Sequence, residues 1–232
     1  MTLFDKSWNT DLNQIQLCGI IFGAVTVFIY PYPQLISGTA PGTLFSLHTL
    51  GVALFILFSI LILRGTQPEA KFADVAGISG LRSKDFWVLI KYLVATVFAV
   101  SAVTSGWIYT LKKLKIPFDA TQELLRYADF SQPETFVPLF IMAVIAVPFA
   151  EELIFRRYLF ELIAKLTGYN ASGVITSLLF SAAHGFLAGA PGLFLMGLLL
   201  QRFYTEKKNI LHPTLLHMSF NATTLLIKAY IK

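Results

Sequence analysis

LTGYNASGVITSLLFSAAHGFLAGAPGLFLMGLLLQ, residues 166–201, contains no Asp, Glu, Lys or Arg. A helix needs roughly 20 apolar residues to cross the hydrocarbon core of a bilayer, so this stretch is long enough for two crossings. Working outward, the same absence of charge holds from Thr135 to Ala150, from Tyr92 to Leu111 and from Leu12 to Leu63, the last again long enough for two. Across the chain 56% of residues are hydrophobic and 13% charged, against about 25% charged in an ordinary soluble domain. The pattern predicts an all-α, polytopic transmembrane helical bundle of about seven spans.

The expected spans are about Gln14 to Ile29, Leu44 to Leu63, Phe86 to Leu111, Thr135 to Leu166, Ala171 to His184, Leu193 to Phe203 and Ile210 to Ile227. Tyr30-Pro31-Tyr32-Pro33 suits an interface, where aromatic rings sit at headgroup depth. Gly185, Gly189, Pro191 and Gly192 mark a hairpin between the fifth and sixth spans. Ile116 to Phe130 mixes apolar residues with Asp119, Glu123, Arg126 and Asp129, as a helix lying on the membrane surface does. The chain divides into N-terminal spans with polar and interfacial connections (1–134) and a C-terminal core (135–232).

A net charge of +5 does not point to nucleic acid. The cations are scattered between spans, and the one tight group, Lys112, Lys113 and Lys115, ends a span where lipid headgroups lie. With the N-terminus inside, the short inside segments hold eight Lys and Arg and the outside segments six, so the positive-inside rule favours that orientation. The single Cys18 lies in the first span and can form no internal disulfide. The N-terminus lacks the basic start and small-residue cleavage site of a signal peptide, so the first span is read as a retained anchor.

An ionisable group within a span costs ~2.5–3.5 kcal/mol on insertion scales and marks a functional site by default. Glu151, Glu152, Arg156 and Arg157 follow the apolar part of the fourth span. Glu152 and Arg156 stand one helical turn apart in the order that favours an ion pair. Glu151 is rotated by about 100° from Glu152 and has no partner on its own helix, and a free carboxylate inside a span is what a general base requires. His184 closes the fifth span, four residues after Phe180. His217 lies in the seventh, with Asn221 one turn later on the same face. If spans four, five and seven meet, a carboxylate, two imidazoles and an amide converge, a set able to activate water and stabilise an oxyanion. Taken singly, a Glu pair is an interfacial charge, and a span histidine or asparagine is a helix-to-helix hydrogen bond. That ordinary reading is kept for His48 and His212, which no pattern supports.

Glu151-Glu152-Leu-Ile-Phe-Arg156, Phe180-Ser-Ala-Ala-His184 and His217-Met-Ser-Phe-Asn221 match in order and spacing the three motifs of the CPBP family. This group comprises CAAX prenyl proteases and bacteriocin-processing enzymes and includes the Ras-converting endoprotease. The resemblance covers about Thr135 to Ile227, and Gly80-Leu-Arg-Ser-Lys-Asp85 resembles a segment often found ahead of that core. It implies an intramembrane endopeptidase acting on a membrane-associated protein or peptide within the bilayer. Glu151 and His184 would activate the water, His217 and Asn221 would stabilise the oxyanion, and Glu152, Arg156 and Phe180 would support the site. The family is often labelled a metalloprotease. Glu151, His184 and His217 are the candidate ligands of a divalent metal such as Zn²⁺, but the helical His-Glu-x-x-His pattern is absent, and a metal-free water activated by glutamate fits the same residues. The substrate classes are CAAX-type C-terminal cleavage, peptide or bacteriocin processing, and self-immunity, with a bacterial plasma membrane as the setting. The rival readings are a non-catalytic scaffold or regulator of the same fold, and a transporter using the buried Glu and His as a proton relay.

Overall fold

The computed structural model describes residues 39–66, 69, 71, 73, 76–120 and 129–230, together with Gly19 and Gly23. Apart from those two glycines, the expected first span lies outside the described residues, as do Cys18, the Tyr-Pro interface and the middle of the interfacial segment. Every regular element among the described residues is helical: α1 (Pro41–Thr66), α2 (Ser83–Lys113), α3 (Pro133–Thr167), α4 (Tyr169–Ala183), α5 (Ala190–Lys207) and α6 (Leu211–Tyr230). Among the described residues four stretches are long and apolar enough to cross a membrane: Pro41–Leu61, Ser83–Lys113, Pro133–Thr167 and Leu187–Lys207. The chain is a helical membrane protein.

The other two helices depart from the simple expectation for physical reasons. α4 has 15 residues, about 22 Å at 1.5 Å per residue, short of the ~30 Å hydrocarbon core. α6 has 20 residues and is long enough, but its His, Thr, Ser and Asn side chains dilute its apolar character. The hairpin between α4 and α5 is tighter than its glycines and proline suggest. The turn ends in a short 3₁₀ segment, Leu187–Gly189, and Pro191 and Gly192 already belong to the first turn of α5. Proline is at home there, because that position has no helical acceptor for an N–H. Gly192 serves a close approach instead, since a Cβ there would collide with the Thr104 hydroxyl of α2.

α3 occupies the centre, with residues 150–158 buried without interruption. A helix buried on all sides is the core of a bundle rather than its wall. α1 runs beside it in the same direction. Gly42 lies against the Glu134 carbonyl, Phe45 shares a cluster with Leu139 and Met142, and Phe55 shares one with Leu153 and Ile154. On the other flank α2 packs against α5 and α6 through Val100, Leu200, Phe203 and Leu216, with Tyr92 stacked on Phe203 at 4.2 Å. The tightest pairing is α4 with α5, where Gly197 brings the two backbones together at Ser177.

α3 is continuous but not regular. Its hydrogen bonding widens to π-helical over Ile141–Ala146 and again over Leu153–Leu159, so the two glutamates sit on a short α-helical piece between two bulges. Pro148 accounts for the first. It has no N–H to give, and the Val147 N–H reaches back five residues to the Met142 carbonyl. The Ala143 carbonyl is thereby left without a helical donor. π-bulges of this kind occur frequently at functional sites.

Candidate active site

α3, α4 and α6 bring the motif residues together. Glu152 is fully buried and Arg156 is 1% exposed. The pair predicted from their spacing is made, with the Arg156 guanidinium donating to Glu152 Oε1 at 2.9 Å. A second guanidinium nitrogen donates to the Gly197 carbonyl of α5 at 3.3 Å. The cation also lies 4.7 Å from the centre of the Phe180 ring, within reach of a cation–π attraction. Phe180 is thus more than a spacer: it lies 5.3 Å from the Phe155 ring, 4.8 Å from His184 and 5.7 Å from His217.

His217 stands between the two carboxylates. Its Nδ1 is 2.9 Å from Glu152 Oε1, and its Nε2 is 3.6 Å from Glu151 Oε2. Glu152 already accepts from Arg156, and an ionised carboxylate can only accept, so Nδ1 carries the proton and donates. Glu151 is 4% exposed and has no guanidinium or ammonium of its own within ion-pair distance among the described residues; the His217 ring is the ionisable group that reaches it. The other oxygen of Glu152, Oε2, is buried without a hydrogen-bond partner. Glu151, Glu152 and Arg156 carry one net negative charge when both acids are ionised. A protonated His217 brings the group to zero.

His184 ends α4, and its Nδ1 lies 2.7 Å from the Phe180 carbonyl one turn earlier. A carbonyl accepts only, so Nδ1 is the donor and the neutral ring presents Nε2 as a lone pair. His184 is half-buried, in contrast to His217. Asn221 Nδ2 donates to the Ala143 carbonyl at 2.9 Å, the group that Pro148 left unpaired. One N–H of the amide is therefore fixed across the α3–α6 interface, and Nδ2 has a second to offer.

Three features of this arrangement escape a motif reading. They are the Gly197 and Ala143 carbonyls, which belong to the backbone, and the proline-induced bulge. Only Pro148, three residues ahead of the acids, leaves a sequence signal. The histidines outside the motifs separate. His212 lies 3.5 Å from Asp85. Neither His212 nor His48, which is buried on α1, makes a hydrogen bond at either ring nitrogen among the described residues, so the helix-to-helix bond expected of both is not made.

Among the described residues no three His, Cys, Asp or Glu stand close enough together to hold an ion. His217 uses Nδ1 on Glu152 and His184 uses Nδ1 on the Phe180 carbonyl, so Nε2 is the ring atom each can turn to a ligand.

Residues 133–223 match the family described as type II CAAX prenyl endopeptidase, Rce1-like, a family of membrane-embedded proteases. That segment, which carries all three motifs, is similar to the family that the motifs resemble. No curated protein and no solved structure matches the chain.

Proposed function

We propose that the chain is an intramembrane endopeptidase in which Glu151 and His184 activate water, and His217 and Asn221 hold the oxyanion. The observation that carries this reading is the division of labour between adjacent acids. Glu152 is tied to Arg156 and to His217 Nδ1, while Glu151 meets only the far side of His217. In the proposed reaction a water bound at Glu151 gives up one proton to the carboxylate as its oxygen bonds to the scissile carbonyl carbon. The lone pair on His184 Nε2 accepts a hydrogen bond from the same water and orients it. Negative charge then develops on the carbonyl oxygen. It is met by Nε2–H of protonated His217 and by the second N–H of Asn221, the electrostatic term that usually dominates in acyl chemistry. Collapse breaks the C–N bond, and Glu151 passes its proton to the leaving amine. Arg156, neutralising Glu152, keeps that acid from competing for the water.

The substrate we infer is a peptide segment of a membrane-associated protein or peptide, reached from within the bilayer. Peptide processing or self-immunity in a bacterial plasma membrane is the preferred setting, with CAAX-type C-terminal cleavage the other. In this reading α4 and α6 complete a bundle of about seven spans with the N-terminal segment, and the site belongs to the C-terminal core beginning near residue 135. Purified Glu151→Gln and His184→Ala variants, assayed on prenylated CAAX peptides and on hydrophobic membrane peptides, test the roles. General acid–base groups contribute about 10²–10⁴-fold, and losses of that size are expected with folding intact. Full activity in either variant would remove the assigned roles. A chain that cleaves nothing yet binds a membrane partner would favour the scaffold reading.

A further inference from the structure

A second polar cluster lies at the corner between α5 and α6, and it is built from a segment far away in sequence. The Ile210 N–H donates to the Gly77 carbonyl at 3.0 Å. The Asn209 side chain takes both backbone groups of Ser79, accepting its N–H at 3.3 Å and donating to its carbonyl at 3.0 Å. The same side-chain oxygen accepts the Leu211 N–H at 3.1 Å, which caps the first turn of α6. Gly77 can take part because its φ of +70° lies in the region that glycine adopts without strain.

Asp85 completes the corner. It is 5% exposed and accepts the Arg82 N–H at 2.9 Å, closing the start of its own helix. Its Oδ1 receives the Lys207 ammonium at 3.0 Å, and its Oδ2 lies 3.5 Å from His212 Nε2. Lys207 is the last residue of α5 and His212 lies in the first turn of α6. One carboxylate on α2 therefore holds the end of α5 by an ion pair and lies against the His212 ring at the beginning of α6, without a hydrogen bond to it. His217 follows His212 by five residues on the same helix, and Asn221 by nine.

We propose that Asp85 is a positioning residue for the site, acting through Lys207 and His212 to set the rotation and depth of α6. This inference rests on the protease reading for its kinetic consequence but not for its structural one. A helix turns 100° per residue, so a corner that slips rotates every side chain beyond it. His217 holds Glu152 at 2.9 Å and Asn221 holds Ala143 at 2.9 Å. Displacements of about 1 Å at such groups cost on the order of 10²-fold in rate. The middle and end of α6 keep their own apolar packing through Leu216 and Leu225, so loss of the clamp loosens the corner and leaves the bundle assembled.

The test uses Asp85→Asn, Lys207→Gln and the double variant of the full chain in detergent micelles. Each single variant is expected to lower kcat by about 10–100-fold with KM within about twofold, and the double to be no worse than the worse single. Backbone amide exchange over residues 209–217 should accelerate while that of α3 stays at the wild-type rate. An Asp85→Asn protein with wild-type kcat and wild-type exchange at 209–217 overturns the proposal. So does accelerated exchange in all helices with kcat and KM both lost, which would make Asp85 a general stabiliser. If the wild-type chain cleaves no peptide while exchange rises only at 209–217, the clamp stands and the protease reading falls.

Discussion

Replacing Arg156 with Met should be far more damaging than replacing Arg156 and its partner together. Met fills much of the volume beside Phe180 but leaves Glu152 fully buried, with His217 as the single remaining partner of Oε1 and none at Oε2. Removing one member of a buried ion pair costs about 3–5 kcal/mol, because the other is left uncompensated. The His217 bond keeps this case near the lower end, at ~3 kcal/mol. Glu152→Gln strands a guanidinium that is 1% exposed and otherwise bonded to one carbonyl at 3.3 Å, so ~4 kcal/mol is expected. The double variant Glu152→Gln/Arg156→Met leaves neither substituted position charged and loses chiefly the charge-assisted bond to His217, worth about 1.5–3 kcal/mol. The cycle should thus close with a favourable coupling of at least ~3 kcal/mol, typical of strongly linked groups. At about 2–4 °C per kcal/mol for a chain of this size, Arg156→Met should lower Tm by roughly 6–12 °C and the double by less. Thermal unfolding in a mild detergent, followed by tryptophan fluorescence, reads these shifts. Additive singles, or an Arg156→Met loss below ~1 kcal/mol, would show that the pair is not the neutralised unit described above.

Gly197→Ala places a Cβ 2.9 Å from Ser177 Cβ and 3.0 Å from its Cα, so the α4 backbone must yield. Overpacking costs about 1–3 kcal/mol and exceeds the ~1 kcal/mol gain in helix propensity, giving a net loss in Tm. Gly106→Ala meets nothing within 4 Å and should raise Tm by the propensity alone, and a fall there would contradict the packing of α2. Pro148→Ala returns an N–H that can reach the Ala143 carbonyl. Stability should hold or rise by up to ~3 kcal/mol while hydrolysis falls as Asn221 loses its anchor, and unchanged turnover would mean the bulge is dispensable. His48→Leu removes a buried imidazole with no hydrogen bond, so a gain of about 1–3 kcal/mol is expected; a loss would reveal a bond that His48 makes.

The sequence made some of this legible and not the rest, for identifiable reasons. The expected spans from Leu44, Phe86 and Thr135 fall within a few residues of α1, α2 and α3, because apolar length is what a bilayer demands. The expected fifth span, Ala171 to His184, falls on α4 as well, and α4 is shorter than the hydrocarbon core. Motif spacing anticipated the Glu152–Arg156 pair, since a turn of helix is a local geometry. It could not anticipate that His217 would lie between both acids, which depends on where α6 crosses α3. Nor could it find Gly197, which acts through a carbonyl that every residue possesses. Gly80 to Asp85 was noticed as a pattern, and only contacts across the fold give that pattern an occupation.

The corner held by Asp85, Asn209 and Ser79 also bears on modularity. The family match begins at residue 133, but the clamp on the last helix comes from residues 77–85. What is inherited as a unit is therefore not what stands as a unit. A transplant of residues 133–232 onto foreign leading helices would carry all the motif residues and leave Lys207, Asn209 and His212 facing strangers. A chimera designer would do better to cut ahead of Ala76 than ahead of Pro133.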